Sequence, residues 1–421
     1  MRNFIFLVAL LFAAPLTAQN IKYARNAINT LCSDAYQGRG YVKNGDGKAA
    51  EFIYKELKKL KGFEVQYQPF AFTVNSFPSK MEVTVDGKKL KAGTDYMVTP
   101  ECPTIKGNYK VIVATHTIFE TETAYKAFIQ NLSTDAASYL VVIDTLPANL
   151  SAEASGRLKS LKANTVKVAG FINLTNKKLM WSVGTEQAAT AELMVVDKAF
   201  DRQAKKIKLN ITAELKPHST NNVLGFIKGT ENPDSIIVLS AHYDHLGRMG
   251  KKTIFPGAND NASGVAIMLD LANYYSQHPP KCSMLFIGFA AEEAGLIGSY
   301  YYVNYPVYPL ERMKFLINLD LIGTGEKGIM AVNGLEFTPE YNALTAINTE
   351  KGYLSSVQAR GKAANSDHYW FTEKGVRAFF FYLMGDFPYY HDPEDRAEIL
   401  PLTEYEDTFR LIRDFMEYLQ Q

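Results

Sequence analysis

The chain has 421 residues, 47% of them hydrophobic and 12% aromatic, with a formal net charge of +1. That length exceeds one ordinary domain of roughly 100–200 residues, and the apolar content excludes a disordered chain. The charges show no basic clustering, which excludes a nucleic-acid footprint, and Lys58, Lys59 and Lys61 fall on the solvated face of a short amphipathic helix.

Residues 1–18 read as a cleavable signal peptide. Arg2 supplies the positive start, Phe4 to Ala14 the apolar stretch, and Leu16-Thr17-Ala18 a small-residue exit. The stretch is short for a membrane span, which needs about 20 residues, and no cysteine follows it to carry a lipid. The expected location is the periplasm or the medium, with no stable membrane anchor after cleavage. Two helical patterns come next, Ile21 to Ser33 and Lys48 to Leu60, on either side of the loop Gln37-Gly-Arg-Gly40. That loop is not a phosphate cradle, because no GxxxxGK follows a strand. Phe63 to Val74 alternates as a strand, and Met81 to Leu90 reads as a hairpin about Asp86-Gly87.

Residues 79–205 have a rhythm of their own. Strands are expected at 111–114, 139–144 and 166–174, and helices at 121–131 and 150–162. No metal-ligand candidate falls there, and the stretch reads as an inserted α/β module. From 206 to 421, apolar runs at 236–241, 284–290, 315–321 and 377–383 alternate with helical patterns at 263–277, 340–349 and 403–418. Nearly continuous apolar runs mark strands covered on both faces. The expected fold class is α/β: a mostly parallel mixed sheet sandwiched by helices, with residues 19–78 as its N-terminal part and the smaller α/β module inserted. Cys32, Cys102 and Cys282 form no CxxC pair, which argues against a thiolate zinc site; an exported chain leaves room for one Cys32–Cys102 bridge.

The chemistry gathers where the apolar runs end. Glu292 and Glu293 close the run that begins at Cys282, and adjacent carboxylates leaving water together need a cation or a shared proton. His242 and Asp244 end the run from Ser235, Asp260 lies in Gly257-Ala-Asn-Asp-Asn-Ala-Ser-Gly264, Asp320 ends Phe315-Leu-Ile-Asn-Leu-Asp320, and His391 lies in Tyr389-Tyr-His-Asp-Pro393. Ligands of open α/β sheets bind beyond the carboxyl ends of the strands, so these residues are expected to converge. Imidazole and carboxylate donors without thiolate suit zinc. Two histidines and three carboxylates exceed what one ion with an open position needs, and suit two ions sharing a carboxylate, roughly 3.5–4 Å apart. Taken singly, the glutamates fit a helix cap, Asp260 an N-cap, Asp320 a turn and His242 a structural histidine. Asp367 and His368 fit either a pocket segment or a helix start. His245 is expected near the site without being a ligand, and His116, His218 and His278 on the surface.

The series His242-Tyr-Asp244, Gly257 to Gly264, Glu292-Glu-Ala-Gly-Leu-Ile-Gly-Ser299, Asn318-Leu-Asp-Leu-Ile-Gly323 and Tyr390-His-Asp-Pro393 resembles metallopeptidase family twenty-eight. That family includes secreted leucyl aminopeptidases, aminopeptidase Y and glutamate carboxypeptidase II. The resemblance extends to Leu31-Cys-Ser-Asp-Ala-Tyr-Gln-Gly-Arg-Gly40, and the inserted module stands where many members carry a protease-associated domain. It implies the zinc exopeptidase fold and two zinc ions per chain: His242 and Asp320 on one, Glu293 and His391 on the other, Asp260 bridging. It implies Glu292 as general base toward a water between the ions, Asp244 as the carboxylate orienting His242, and Tyr390 as support for the oxyanion. A peptide is the implied substrate, cut from its N-terminus; oligomeric state is not implied. Glutaminyl cyclase, with one zinc, and an inactive binding protein of the same fold are the alternatives. The cyclase would vary the segments Asp260-Asn-Ala-Ser-Gly264 and Ser366-Asp-His368, and the binding protein would lose ligands; neither change is present.

Overall fold

A computed structural model describes residues 20–132 and 134–421, so the expected signal peptide lies outside the described residues. Eight strands form one mixed sheet in the order Phe63–Ser76, Glu214–Ile227, Cys282–Phe289, Asn232–His242, Met313–Leu319, Ala378–Leu383, Ile329–Val332, Val357–Arg360. The four strands from Cys282–Phe289 to Ala378–Leu383 run parallel, and the strand next to them on each side, Glu214–Ile227 and Ile329–Val332, pairs antiparallel.

The central strands bury both faces because they are largely apolar on both, with the buried Ser240 donating to Asn318. In Asn232–His242, Ile237, Leu239 and Ala241 face helices Ile21–Cys32, Gly45–Lys58, Ser263–Gln277 and Tyr405–Leu419, while Ile236 and Val238 face Ile297–Asn304 and His368–Glu373. The alternation follows from the two-residue period of a strand, and each such side chain contributes about 1.5–3 kcal/mol of burial. Helix Ile21–Cys32 starts where the Asn20 side chain accepts from the Tyr23 amide at 2.9 Å. No helix among the described residues is long and apolar enough to cross a membrane.

Strand Glu214–Ile227 lies outside the sequence expectation. Its first half, Glu214-Leu-Lys-Pro-His-Ser-Thr-Asn-Asn222, has no strand alternation. It is held instead by pairing along its whole length with Phe63–Ser76, from Phe63 opposite Ile227 to Ser76 opposite Glu214. Tertiary pairing here overrides local preference.

A second eight-stranded sheet is built from strands between Glu82 and Ile211. Its Ile105–Ala114, Tyr139–Ile143, Gly170–Thr175 and Ala191–Val196 strands run parallel to one another. Helices His116–Glu120, Glu122–Leu132 and Ala152–Lys162 cover one face through Phe119, Phe128 and Leu161. The other face packs Leu140, Val142 and Ile172 in one cluster with Phe77, Leu246, Met249 and Phe255. The sheet thus sits on the segment that leads from His242 to Asp260. The Cys32–Cys102 bridge does not form: both thiols are free, Cys102 within the core of the second sheet and Cys32 against that of the first.

Loop 37–40 closes against the same segment. A Cβ on Gly40 would stand 2.3 Å from Gly247 Cα, and Gly247 itself has φ +78°. Gly40→Ala is expected to lower stability by about 1–3 kcal/mol through that overlap, read as an earlier midpoint in urea denaturation; an unchanged midpoint would show that the two backbones part without cost.

Candidate metal centre

The parallel strands deliver the acids and histidines to one end of the sheet. His242 is the last residue of its strand, Asp320 follows Met313–Leu319 directly, and Glu292 and Glu293 follow Cys282–Phe289 by a short step. Asp260 comes from the irregular turn Ala258–Ala262 that opens Ser263–Gln277, where the Asp260–Asn261 peptide is cis. His391 comes from the loop after Ala378–Leu383.

His242 Nε2 lies 3.3 Å from Asp260 Oδ1 and 3.3 Å from Asp320 Oδ1. His391 Nε2 lies 3.4 Å from Asp260 Oδ2 and 3.1 Å from Glu293 Oε2. The two oxygens of Asp260 therefore face different histidines. His245 is fully buried, with Nδ1 2.7 Å from Glu293 Oε1 and 3.8 Å from Asp260 Oδ1. Two donor groups result, His242–Glu292–Asp320 and His245–Asp260–Glu293, the atoms of each within 4.8 Å of one another. Asp320 Oδ1 and His245 Nε2 are buried and take no hydrogen bond among the described residues. Buried acids with unpaired oxygens, facing imidazole nitrogens and no thiolate, are the donor set a zinc ion fits.

The charges are sorted by their neighbours. Burial pushes the Glu292 carboxyl well above its ordinary range, His242 opposing and Glu293 adding to the shift. Against burial, His391 and the His245 hydrogen bond hold Glu293 below its ordinary value. Burial opposes charge on His242, yet Asp320 and Glu292 hold its pKa well above the ordinary one. Of two adjacent glutamates, one is driven toward the proton and the other toward the charge, which is how acid and base roles separate.

A layer of hydrogen bonds aims these groups. Asp244 is fully buried; it accepts from Tyr41 Oη at 2.6 Å and from the amides of Glu292 at 3.1 Å and Glu293 at 3.2 Å. His242 Nδ1 is closer to the Asp244 carbonyl, at 3.1 Å, than to its carboxylate, at 3.8 Å. The carboxylate expected to orient His242 is therefore spent on the Glu292–Glu293 turn, and the backbone of the same residue faces the ring. Asp320 Oδ2 accepts from Ser366 at 3.0 Å, Ser366 from Asn318, and Asn318 from Ser240, each of the last two at 2.8 Å. Asp395 accepts from the amides of Asn259 at 2.8 Å and Asp260 at 3.0 Å. Arg39, fully buried, donates to the carbonyls of Tyr243, Pro256, Gly257 and Asp260. Gly257, at φ +64°, leaves no room for a side chain, since a Cβ would stand 2.4 Å from the His245 ring.

A cavity of about 210 Å³ opens over His242, Glu292, Asp320 and His391, walled by Phe380, Tyr382 and Tyr390 with Arg360 and Asn365. Tyr390 is 47% exposed and stacks on His391 with ring centroids 3.9 Å apart. All eight residues singled out in the sequence lie in or against this site. Asp367 does not cap its helix; it is buried with both carboxylate oxygens unpaired. His218, expected on the surface, is half-buried with Nε2 2.7 Å from Asp46. Arg39, Tyr41, Asp395 and Ser366 carry no role that the sequence assigns, and His245, expected near the site, lies against Glu293. A signal existed only for Arg39, an arginine between two glycines that is explained neither as a phosphate loop nor as part of a helix.

Tyr41→Phe removes one hydrogen bond from a buried carboxylate. It is expected to cost about 1.5–3 kcal/mol of stability, measured by chemical denaturation; no loss would mean that Asp244 is satisfied by the two amides alone.

Residues 222–416 match Peptidase family M28. Aminopeptidase YwaD of Bacillus subtilis (strain 168) is 35% identical over 219 residues, 48% of this chain and 46% of that protein, so the chain spans just under half the length of this relative. Among solved structures, BSAP, a zinc aminopeptidase from Bacillus subtilis, superposes with a TM-score of 0.69 at 21% identity, covering 94% of each chain. A peptidase M28 precursor from Shewanella amazonensis SB2B gives a TM-score of 0.71 at 18% identity, covering 96% of this chain and 94% of that one. At such identities these two likenesses show the fold, the expected α/β arrangement of a mixed sheet between helices. Residues 222–416, which hold all eight of these residues, are the part of the chain that matches peptidase family M28.

Proposed function

We propose that this chain is an exported two-zinc aminopeptidase. The observation that carries the reading is Asp260, whose two carboxylate oxygens lie 3.3 Å from His242 Nε2 and 3.4 Å from His391 Nε2. A carboxylate between two imidazoles on opposite sides is what two ions sharing a ligand require. In this reading His242 and Asp320 complete one site, Glu293 and His391 the other, and His245 orients Glu293 through its Nδ1–H, as partners of metal-bound groups commonly do. The name of the Bacillus subtilis relative supports the aminopeptidase assignment, and the apolar stretch Phe4 to Ala14 supports export. Residues 79–205 are proposed as an inserted module and 206–421 as the catalytic core, joined by 19–78.

Zinc bound here would lower the pKa of water and polarise a substrate carbonyl. The rest falls to the protein. Glu292, whose affinity for a proton is raised by burial, would as the carboxylate accept a proton from the attacking water and return it to the leaving amine. Asp244 and Tyr41 fix the backbone that presents Glu292. Tyr390 stands at the cavity wall, where its hydroxyl can support negative charge developing on the carbonyl oxygen.

The test is zinc content together with cleavage of a peptide bearing a free N-terminus and of its acetylated twin. Two ions per chain and cleavage of the free peptide only are expected; cleavage of both would move the cut elsewhere, and one ion with ammonia released from an N-terminal glutamine would replace the reading with cyclisation. Glu292→Gln is expected to keep both ions while kcat falls by about 10²–10⁴-fold. A variant of undiminished kcat would remove Glu292 from the proton path.

A further inference from the structure

The loop that carries His391 receives little support from its own sheet. His391 sits at φ 52° in a partly exposed stretch, a backbone conformation that persists only when its surroundings impose it. Those surroundings come from the second sheet. Lys178 Nζ donates to the carbonyl of Pro388, reaches that of Tyr390 at 3.3 Å, pairs with Asp392 Oδ2 at 3.0 Å and stands 5.7 Å from the centroid of the Tyr389 ring. Three residues on, the Trp181 amide donates to the His391 carbonyl at 3.4 Å. One short segment thus touches every residue from Pro388 to Asp392.

The segment is itself firmly rooted. Leu179 and Trp181 belong to the buried cluster of the second sheet, the Trp181 indole donates to the Val98 carbonyl at 3.0 Å, and its ring stacks on Phe255 with centroids 5.0 Å apart. Phe255 in turn lies two residues before Gly257, at the start of the turn that carries Asp260. A support built on packed side chains holds a ligand more accurately than a free loop does.

We infer that Lys178 is a positioning residue for His391, so that residues 178–181, in the connection between strands Gly170–Thr175 and Ala191–Val196 of the second sheet, set the geometry of the metal site completed by His391 and Glu293. The inference rests on the two-zinc reading above. Outer partners of metal ligands typically change affinity by about 10–100-fold when removed, and this ammonium joins two carbonyls and a carboxylate on either side of His391.

The experiment titrates zinc into metal-free wild type, Lys178→Met, Lys178→Arg and the control Lys177→Met, with circular dichroism melting of each. Wild type is expected to take two ions. Lys178→Met should bind one ion as wild type does and the second at least tenfold more weakly, with kcat reduced more than KM is raised; Lys178→Arg should recover most of that loss, and Lys177→Met should lose nothing. If Lys178→Met does not fold, Asp392→Asn breaks the same pair from the other side and is read in the same way. Two ions at wild-type affinity in the folded Met or Asn variant would overturn the inference while leaving the two-zinc reading intact. A wild type that takes fewer than two ions would overturn both.

Discussion

Mutual repulsion among carboxylates is the constraint around which this molecule is arranged. Asp244, Asp260, Asp320 and Asp367 are buried at one end of the main sheet, and the Glu293 side chain is 4% exposed beside them. Removing an ionised carboxylate from water costs several kcal/mol unless hydrogen bonds or opposite charge offset it. The offsets can be read group by group. Asp244 takes two amides and a phenol, Asp320 takes a serine, and Asp260 and Glu293 face imidazoles. What takes no hydrogen bond, Asp320 Oδ1 above all, faces His242 Nε2 at 3.3 Å where the histidines converge.

Such an arrangement needs a rigid frame, because a carboxylate free to move would turn back to solvent. The parallel strands supply part of it, since their covered ends cannot shift without opening both faces of the core. Arg39 supplies another part. Its guanidinium ties four carbonyls of the segment 243–260 from a loop whose glycines permit backbone contact with Gly247. The second sheet rests on that same segment through Leu246, Met249 and Phe255. Three parts of the chain, far apart in sequence, brace one turn.

The second sheet also meets the His391 loop from the other side. The site therefore lies between two supports, one under Asp260 and one behind His391. This gives the region between Glu82 and Ile211 a bearing on chemistry although it contributes none of the acids or histidines of the site. A loop at φ 52° with an exposed aromatic stacked on its histidine depends on such a neighbour for its shape.

The sequence by itself determined the buried strands, the helices between them and the residues that meet beyond the strand ends. Those signals are local: an unbroken apolar run such as 236–241 has no other stable fate, and an acid or histidine at its end must emerge at the sheet's edge. Only the tertiary structure decided the rest. The first half of strand Glu214–Ile227 has no pattern of its own and is held by pairing with Phe63–Ser76. Asp244 could be read as a partner of His242, yet its carboxylate lies nearer to Tyr41 and two amides. Arg39, Tyr41, Ser366, Asp395 and Lys178 act on groups tens to hundreds of residues away, or through backbone carbonyls that every residue carries, and such partners leave no trace in spacing or composition. Hydrophobic patterning is written along the chain, whereas the pairing of polar groups depends on which atoms folding brings within 3 Å.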